Sequence, residues 1–263
     1  MSRFISTLLL CIFTMGACAS TLPNVSQQPN MAQKLLPSVV LIEARHEFVS
    51  KNDKGEIEVR LMRTRGSGTI VHRITDKSGG YTYYVLSCGH LYEPRPGWKI
   101  SVILRTFDHE GWNTVRKFPA ESFWSYENNG YDTSLIKFKS KKLFPIVPLA
   151  KKIPRNLMGK ECILMGCPFG NVPMIAYGHF GVNCPVTSLG SNYVEMTVFV
   201  APGNSGSGAY LYNEDARQWE LVGVITHGYG GGGAGFTMAA IALRLDAIRV
   251  LLKRFHLSHM IGE

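Results

Sequence analysis

Short apolar runs separated by glycine, proline and polar residues make up most of the chain, and their length is typical of β-strands. The clearest is an aromatic and β-branched run that begins at Tyr81 and ends in Ser87-Cys88-Gly89-His90. It predicts a buried strand followed by a loop. Further strands are predicted over residues 101–106, 134–138, 161–166 and 174–183. With 27 glycines and 13 prolines spread between such strands, the pattern favours an all-β barrel or sandwich.

Helical periodicity is convincing in one segment, residues 246–257. Its apolar side chains follow the spacing i, i+3, i+4 and i+7 of one helix face: Ile248, Leu251, Leu252 and Phe255. We therefore predict a terminal helix that packs on the β-structure. The chain has 263 residues and 45% hydrophobic content, enough to bury one large core or two modest ones.

The segment Ala201-Pro202-Gly203-Asn204-Ser205-Gly206-Ser207-Gly208 places one serine among small residues. A serine hydroxyl becomes an effective nucleophile when a base takes its proton and nearby donors stabilise the resulting oxyanion. Gly203 and Gly206 free the backbone around Ser205, so the amides of Gly203 and Ser205 can form one oxyanion hole. On its own, however, this segment is also typical of an ordinary polar turn.

An imidazole and a carboxylate that complete such a site can lie far away in sequence. His90 stands where a predicted strand stops and a loop begins, a position that presents a side chain to a cleft. Asp132 follows a turn and precedes the strand predicted over 134–138. Asp108 is a rival carboxylate, but Asp108-His109-Glu110-Gly111 is typical of a polar hairpin turn, and we prefer Asp132.

Six short motifs resemble those of trypsin-like serine proteases, closest to the HtrA-type branch, and they follow one another in the order typical of that family. The resemblance covers roughly residues 36 to 257. The motifs are Pro37-Ser38-Val39-Val40, Gly66-Ser67-Gly68-Thr69-Ile70, Ser87-Cys88-Gly89-His90-Leu91, Tyr131-Asp132-Thr133-Ser134-Leu135, Gly166-Cys167-Pro168-Phe169-Gly170 and Gly203-Asn204-Ser205-Gly206. Each motif is weak alone, and their common order and spacing carry the resemblance.

The resemblance implies an all-β fold of two six-stranded antiparallel β-barrels with a C-terminal α-helix. We expect a protease domain over 36–263, with barrel one at about 36–140, barrel two at about 155–245 and the helix at about 246–257. The chain continues only six residues beyond this helix, so we expect no PDZ domain of the kind that many HtrA-type proteases carry.

The resemblance also assigns chemistry to three residues. His90 is expected to act as general base, Asp132 as its orienting carboxylate and Ser205 as nucleophile, with the amides of Gly203 and Ser205 as the oxyanion hole. Two positions depart from the family pattern. Ser207-Gly208 stands where Gly-Pro is usual, and Cys88 replaces a small or amide residue two positions before the histidine.

The amino terminus has the pattern of an export signal. Arg3 precedes a short apolar stretch, and Ala17-Cys18-Ala19 supplies a small-x-small cleavage site. We predict a signal peptide over 1–19 and a polar lead-in over 20–35. Met15-Gly16-Ala17-Cys18 is also compatible with a lipobox, in which Cys18 would carry a lipid. The mature protein is then either soluble in the periplasm or medium, or attached to a membrane.

Export permits disulfides among Cys88, Cys162, Cys167 and Cys184, and a bridge between Cys162 and Cys184 is conceivable. The spacing of cysteine and histidine matches no metal site, so we predict no metal and no cofactor.

The net charge of +9 includes a basic cluster of seven residues: Lys137, Lys139, Lys141, Lys142, Lys151, Lys152 and Arg155. It suits either attraction to anionic lipids, polyanions or acidic substrates, or a solvated linker between two barrels. No motif indicates a nucleic-acid partner.

In trypsin-like folds the substrate pocket is built before the nucleophile loop and by a later strand. By position it should contain Phe199, Val200, Ala201, Thr226, His227 and Gly228, with Gly235 and Phe236 as further candidates. The six leading positions include no acid, so we expect a small or medium apolar side chain rather than Lys or Arg. As an alternative, His227 could hold a glutamate side chain.

The sequence therefore predicts an exported serine endopeptidase that cleaves unfolded or exposed protein segments. The alternative is a peptide-binding or chaperone-like protein on the same scaffold, with a latent triad.

Overall fold

The computed structural model describes residues 28–77, 79–91, 97–108, 111–128, 130–181, 191–229 and 237–262. The predicted signal peptide with Cys18, the residue Cys184 and the candidates Gly235 and Phe236 lie outside these ranges. Among the described residues, no helix has the length and apolar character needed to cross a membrane.

The first half of the chain forms a closed six-stranded antiparallel barrel in the order β1-β2-β3-β6-β5-β4. Its strands are β1 (Val39–Lys51), β2 (Ile57–Thr75), β3 (Tyr81–Ser87), β4 (Lys99–Asp108), β5 (Gly111–Asn128) and β6 (Tyr131–Ser140). Tyr83 stacks on Phe138 at 5.1 Å between ring centroids, with Phe144 against both. These large rings fill the barrel and bury the aromatic run that predicted β3.

The second half forms a six-stranded antiparallel sheet in the order β8-β7-β10-β11-β12-β9. Its strands are β7 (Glu161–Gly166), β8 (Met174–His179), β9 (Tyr193–Met196), β10 (Gly208–Asn213), β11 (Gln218–Tyr229) and β12 (Ala239–Arg244). Thr197 N donates to His179 O and Gly181 N to Glu195 O, both at 2.9 Å. These bonds join the end of β8 to β9, so this sheet also curls round on itself.

The segment between the two sheets is hydrogen-bonded to both of them. Val147 N donates to Ile70 O in the first barrel at 3.1 Å, and Ala150 N donates to Leu221 O in the second sheet at 3.0 Å. Four lysines of the basic cluster lie on this segment and are exposed: Lys141, Lys142, Lys151 and Lys152. Lys137 lies on β6 and pairs with Glu121 at 3.0 Å.

Helices occupy the two ends of the described chain, with α1 at Gln28–Gln33 and α2 at Leu245–Arg254. The α2 helix buries Ile248, Leu251 and Leu252, as the periodicity predicts. It ends three residues before the predicted limit because His256 has a left-handed φ of 59°. Short 3-10 turns at Leu36–Ser38, Pro168–Gly170 and Ser258–Ile261 complete the elements.

A buried carboxylate on the outer face of the first barrel contacts four positively charged side chains. Glu43 is 1% exposed and contacts Arg45, Arg63, Arg65 and Lys117, with Lys117 Nζ at 2.8 Å from Oε1. Burial is the largest influence on its pKa and raises it, but the bonds and charges of Lys117 and Arg63 prevail and lower the pKa to about 2. Arg65 also packs against Gly170, beside the loop that carries Ser205.

Replacing Glu43 with Gln should lower the free energy of unfolding by about 2 to 4 kcal/mol at pH 7, because four partly exposed cations lose their common carboxylate. In the natural protein this contribution is fully present above a pH of about 4.5 and is lost as the pH falls towards 2. Urea unfolding at several pH values measures it. Glu58→Gln, which breaks the exposed Arg60 pair, is the matched control, and equal effects of the two variants would contradict the prediction.

Candidate active site

Asp132 lies at the start of β6, with its carboxylate turned back towards the end of β3. Its Oδ2 accepts a hydrogen bond from His90 Nδ1 at 2.6 Å, and its Oδ1 accepts from the amides of Gly89 and His90 at 2.5 and 3.0 Å. The Asp132 side chain is 7% exposed. One buried group therefore fixes both the backbone and the ring of His90, and it selects the tautomer that leaves Nε2 unprotonated.

His90 projects from the loop after β3, and β6 holds that loop in place. Ser134 Oγ donates to Cys88 O at 2.7 Å, and Thr133 Oγ1 donates to Ser87 O at 3.2 Å. Burial, the largest influence on the imidazole, lowers its pKa. The hydrogen bond and charge of Asp132, helped by the charge of Glu127, outweigh burial and raise the pKa of His90 above its usual range.

The thiol of Cys88 lies against the same imidazole, with Sγ at 3.8 Å from His90 Nε2. Ligand atoms of Cys88, His90 and Asp132 lie within 4.8 Å of one another, a spacing that a metal ion could use. Binding requires the thiolate, yet burial, and secondarily the charge of Asp132, raises the pKa of Cys88 well above its usual range. The Asp132 carboxylate already serves three donors, so this donor set fits a metal poorly.

Cys88, Cys162 and Cys167 all carry buried free thiols. The conceivable bridge from Cys162 is therefore not formed in this structure. Its candidate partner, Cys184, lies outside the described residues.

Ser205 lies on the loop before β10, where hydrogen bonds orient two peptide groups. Pro202 O accepts from Phe169 N at 2.5 Å, and Asn204 O accepts from Ser207 N at 2.9 Å. The carbonyl and the N–H of a trans peptide point in opposite directions. The amides of Gly203 and Ser205 therefore point away from these anchors, and neither has an acceptor within the described ranges.

Gly203 is required at its position for two reasons. Its φ of 96° is unfavourable for other residues, and a Cβ there would lie 2.7 Å from Cys167 O. Ser205 Oγ forms no hydrogen bond to His90 among the described residues. Catalytic hydrogen bonds are often long before substrate binds.

A cavity of about 220 Å³ opens beside Ser205. Five of the six predicted pocket residues line it: Val200, Ala201, Thr226, His227 and Gly228. The sixth, Phe199, does not line this cavity, and its side chain is 56% exposed. Sequence reasoning missed Ile225 and Thr237, which also line the cavity; the motifs carry no signal for either.

A second cavity, of about 350 Å³, lies on the other side of Thr226 and His227. Its lining includes His90, Asp132, Glu127, Tyr131 and Tyr193. The two cavities share Thr226 and His227, so Ser205 and the His90–Asp132 pair line adjoining parts of one cleft. Sequence reasoning missed Glu127 and Tyr193, because neither belongs to a recognisable motif.

His227 owes its direction to an irregularity in β11. The pairing with β12 shifts between Ile225 and His227, which leaves Thr226 as an extra residue, and such bulges redirect side chains. The His227 ring lies 6.4 Å from that of His90, between centroids. Burial is the largest influence on the pKa of His227 and lowers it. The charge of His90 also lowers this pKa, whereas the charges of Asp132 and Glu127 partly oppose the shift.

Ser67 is a further residue of the site, and the sequence motifs do not identify it as one. It lies on β2, is fully buried, and contacts the Ser205 loop through both its amide and its hydroxyl. The Gly66-Ser67-Gly68 motif indicated only a strand. The contact with Gly203 spans 136 positions along the chain, and no local pattern reports it.

Comparison with known proteins places this geometry in context. The model of the trypsin-like peptidase domain family matches residues 66–224. A similar solved structure is a serine-to-alanine variant of the HtrA-type protease AlgW with a decapeptide, at 18% identity and a TM-score of 0.62. The match covers 87% of this chain and 66% of that one. The same variant with a tripeptide gives 18% identity, coverage of 88% and 64%, and a TM-score of 0.58.

The chain thus spans slightly less than two thirds of the length of these two structures. No curated protein matches it. The family match and the likeness in fold confirm the predicted resemblance, and the fold class of two six-stranded antiparallel sheets with a C-terminal helix.

The two histidines of the cleft should titrate on opposite sides of the usual pKa of 6.5, His90 above it and His227 below it. Asp132→Asn should bring the pKa of His90 down, because burial then acts without the carboxylate. NMR titration of the imidazole protons measures both values. Glu214→Gln, in the turn after β10, is the control and should move neither value. A His90 pKa unchanged in Asp132→Asn contradicts the assigned pairing.

Proposed function

Because the chain belongs to the trypsin-like peptidase domain family, we propose that it is an exported serine endopeptidase that hydrolyses peptide bonds through His90, Asp132 and Ser205. One observation carries the proposal. The 2.6 Å bond from His90 Nδ1 to Asp132 lies in the same cleft as the serine loop, whose Gly203 and Ser205 amides have no acceptor among the described residues. A protein that only binds peptides needs no such orientation of an imidazole.

The reaction follows from these positions. His90 Nε2 takes the proton of Ser205 Oγ as that oxygen attacks the substrate carbonyl carbon. Asp132 holds the Nδ1 proton and stabilises the imidazolium that forms. The amides of Gly203 and Ser205 donate to the oxyanion, and each such donor contributes about 3 kcal/mol to lowering the barrier.

The tetrahedral intermediate then collapses. His90 gives its proton to the leaving amine, the peptide C–N bond breaks, and an acyl ester remains on Ser205. Water attacks this ester, with His90 again taking the proton, and the free serine is regenerated.

Export is part of the proposal and rests on the amino-terminal pattern of residues 1–19. Cleavage there yields a soluble protein, whereas a lipid on Cys18 attaches it to a membrane. Of the neighbours, one structure contains a decapeptide and one a tripeptide. This supports a protein or peptide segment as the substrate of this chain.

A specific observation favours the second candidate, a peptide-binding protein with a latent triad. Ser205 Oγ and His90 form no hydrogen bond within the described part of the chain, so the nucleophile is not yet engaged with its base. The two candidates differ in whether Ser205 becomes reactive when a ligand occupies the cleft.

A fluorophosphonate probe should label the purified protein, and Ser205→Ala or His90→Ala should abolish labelling. Asp132→Asn should slow the reaction about 10⁴-fold, since the imidazole loses its orienting partner. Cys88→Ala is the matched control and should still be labelled, because that thiol is buried and protonated. A folded natural protein without labelling would favour the peptide-binding candidate instead.

Peptide substrates should be cleaved best after a small or medium apolar residue. The cavity beside Ser205 is small, and Val200, Ala201, Ile225 and Gly228 line much of it. A library varied at the residue before the cleaved bond measures kcat/KM for each side chain. Preference for lysine or arginine would contradict the assignment of this cavity. Preference for glutamate that disappears in His227→Ala would instead show that His227 binds the glutamate side chain of the substrate.

A further inference from the structure

We propose that Ser67 is the positioning residue of the nucleophile loop: its hydroxyl and amide hold Gly203 and Ser205 so that both oxyanion amides face the cleft. This inference rests on the proposed function and names a residue on which it depends. Ser67 lies on β2 of the first barrel, whereas the nucleophile loop leads into β10 of the second sheet.

Four hydrogen bonds converge on this one serine, each 2.7 Å long. The Ser67 amide donates to Ser205 O. The Ser67 hydroxyl donates to Gly203 O and accepts from Cys167 N. The Ser67 carbonyl accepts from Ser87 Oγ. With no exposed surface, Ser67 has no water to replace these partners.

The bond to Gly203 O controls a peptide that has unusual freedom to rotate. Glycine at 203 permits a wide range of backbone angles, and its carbonyl precedes Asn204 and the amide of Ser205. Phe169 N holds the preceding carbonyl, that of Pro202. Ser67 holds the carbonyl of the next peptide, whose Asn204 N–H donates to Ala201 O at 3.0 Å. This peptide lies between the two that carry the amides of Gly203 and Ser205, so its position affects both of them.

The same serine also connects the nucleophile loop to the base. Ser87 donates to Ser67 O and lies three residues before His90. Thr133 and Ser134, next to Asp132, hold the backbone of Ser87 and Cys88. A continuous set of buried hydrogen bonds thus runs from the Asp132 segment through Ser87 and Ser67 to the loop of Ser205.

Without the hydroxyl, Gly203 O and Cys167 N lose a buried partner, and the loop gains freedom. Ser67→Ala should lower kcat by about 10- to 100-fold, somewhat less than the loss of an oxyanion donor itself. KM for a short peptide should stay within a factor of about two, because the cavity walls are unchanged. Inhibition by a peptide aldehyde, which places an oxyanion in the same hole, should weaken in parallel with kcat.

Thr69→Val is the matched control. It removes a buried hydroxyl from the same strand, with its 3.3 Å contact to the Tyr210 hydroxyl, and leaves both contacts of Ser67 with Gly203 and Ser205 intact. Both variants should lose similar thermal stability, yet only Ser67→Ala should lower kcat and aldehyde affinity strongly. If Ser67→Ala does not fold, Ser67→Cys retains a weak donor and should show a smaller loss of the same kind.

Amide hydrogen exchange gives a readout that does not need activity. Exchange across residues 201–207 should accelerate in Ser67→Ala and not in Thr69→Val. Equal effects of the two variants on kcat and exchange, or no effect of Ser67→Ala on either, overturn the role of Ser67. A natural protein that neither cleaves peptides nor reacts with a fluorophosphonate overturns the proposed function instead, and the exchange comparison still decides whether Ser67 positions the loop.

Discussion

The candidate site depends on the hydrogen bonds that the carboxylate of Asp132 accepts. This carboxylate is buried, and it accepts hydrogen bonds from two backbone amides and one imidazole nitrogen. A buried carboxylate needs such partners, since an unpaired charge in the interior is very costly. The same bonds that satisfy the carboxylate orient the histidine, so stability and chemistry are coupled at this point. Gly89 allows the approach, because a Cβ there would lie 2.9 Å from Tyr126 O.

The fold must align residues of a closed barrel with residues of a separate six-stranded sheet. The base and its carboxylate belong to the first barrel, and the serine loop belongs to the second sheet. Apolar packing alone tolerates small displacements, whereas directional hydrogen bonds do not. The bonds of Ser67 with Gly203, Ser205 and Cys167 cross this boundary. These bonds therefore fix the position of the serine loop relative to the first barrel.

Strand positions and the order of the candidate residues could be predicted because the signals are local. The strand predicted over 161–166 coincides with β7, where glycine and proline follow the apolar run. The contact of His90 with Asp132 was predicted from motif order and is present over 42 positions of chain. The end of α2 was misplaced by three residues, since nothing in the sequence announces the left-handed backbone of His256.

Other features of the cleft depend on geometry that no motif reports. The bulge at Thr226 sets where His227 points, and the direction of the peptide between Pro202 and Gly203 depends on Phe169. Ser67 was visible only as part of a strand motif, because its partners lie 100 and 136 positions away. Residue types and order are therefore predictable from the sequence, whereas the contacts that align them come from tertiary structure.

The most direct measurement is a pre-steady-state experiment with a slowly deacylated peptide p-nitrophenyl ester, followed by peptide mapping of the trapped protein. If Ser205 is the nucleophile, the experiment gives a burst of about one equivalent of p-nitrophenol, as expected for an acyl-enzyme, and an acyl group located on Ser205. An acyl group on another residue, or peptide hydrolysis with no covalent intermediate, would contradict this role of Ser205.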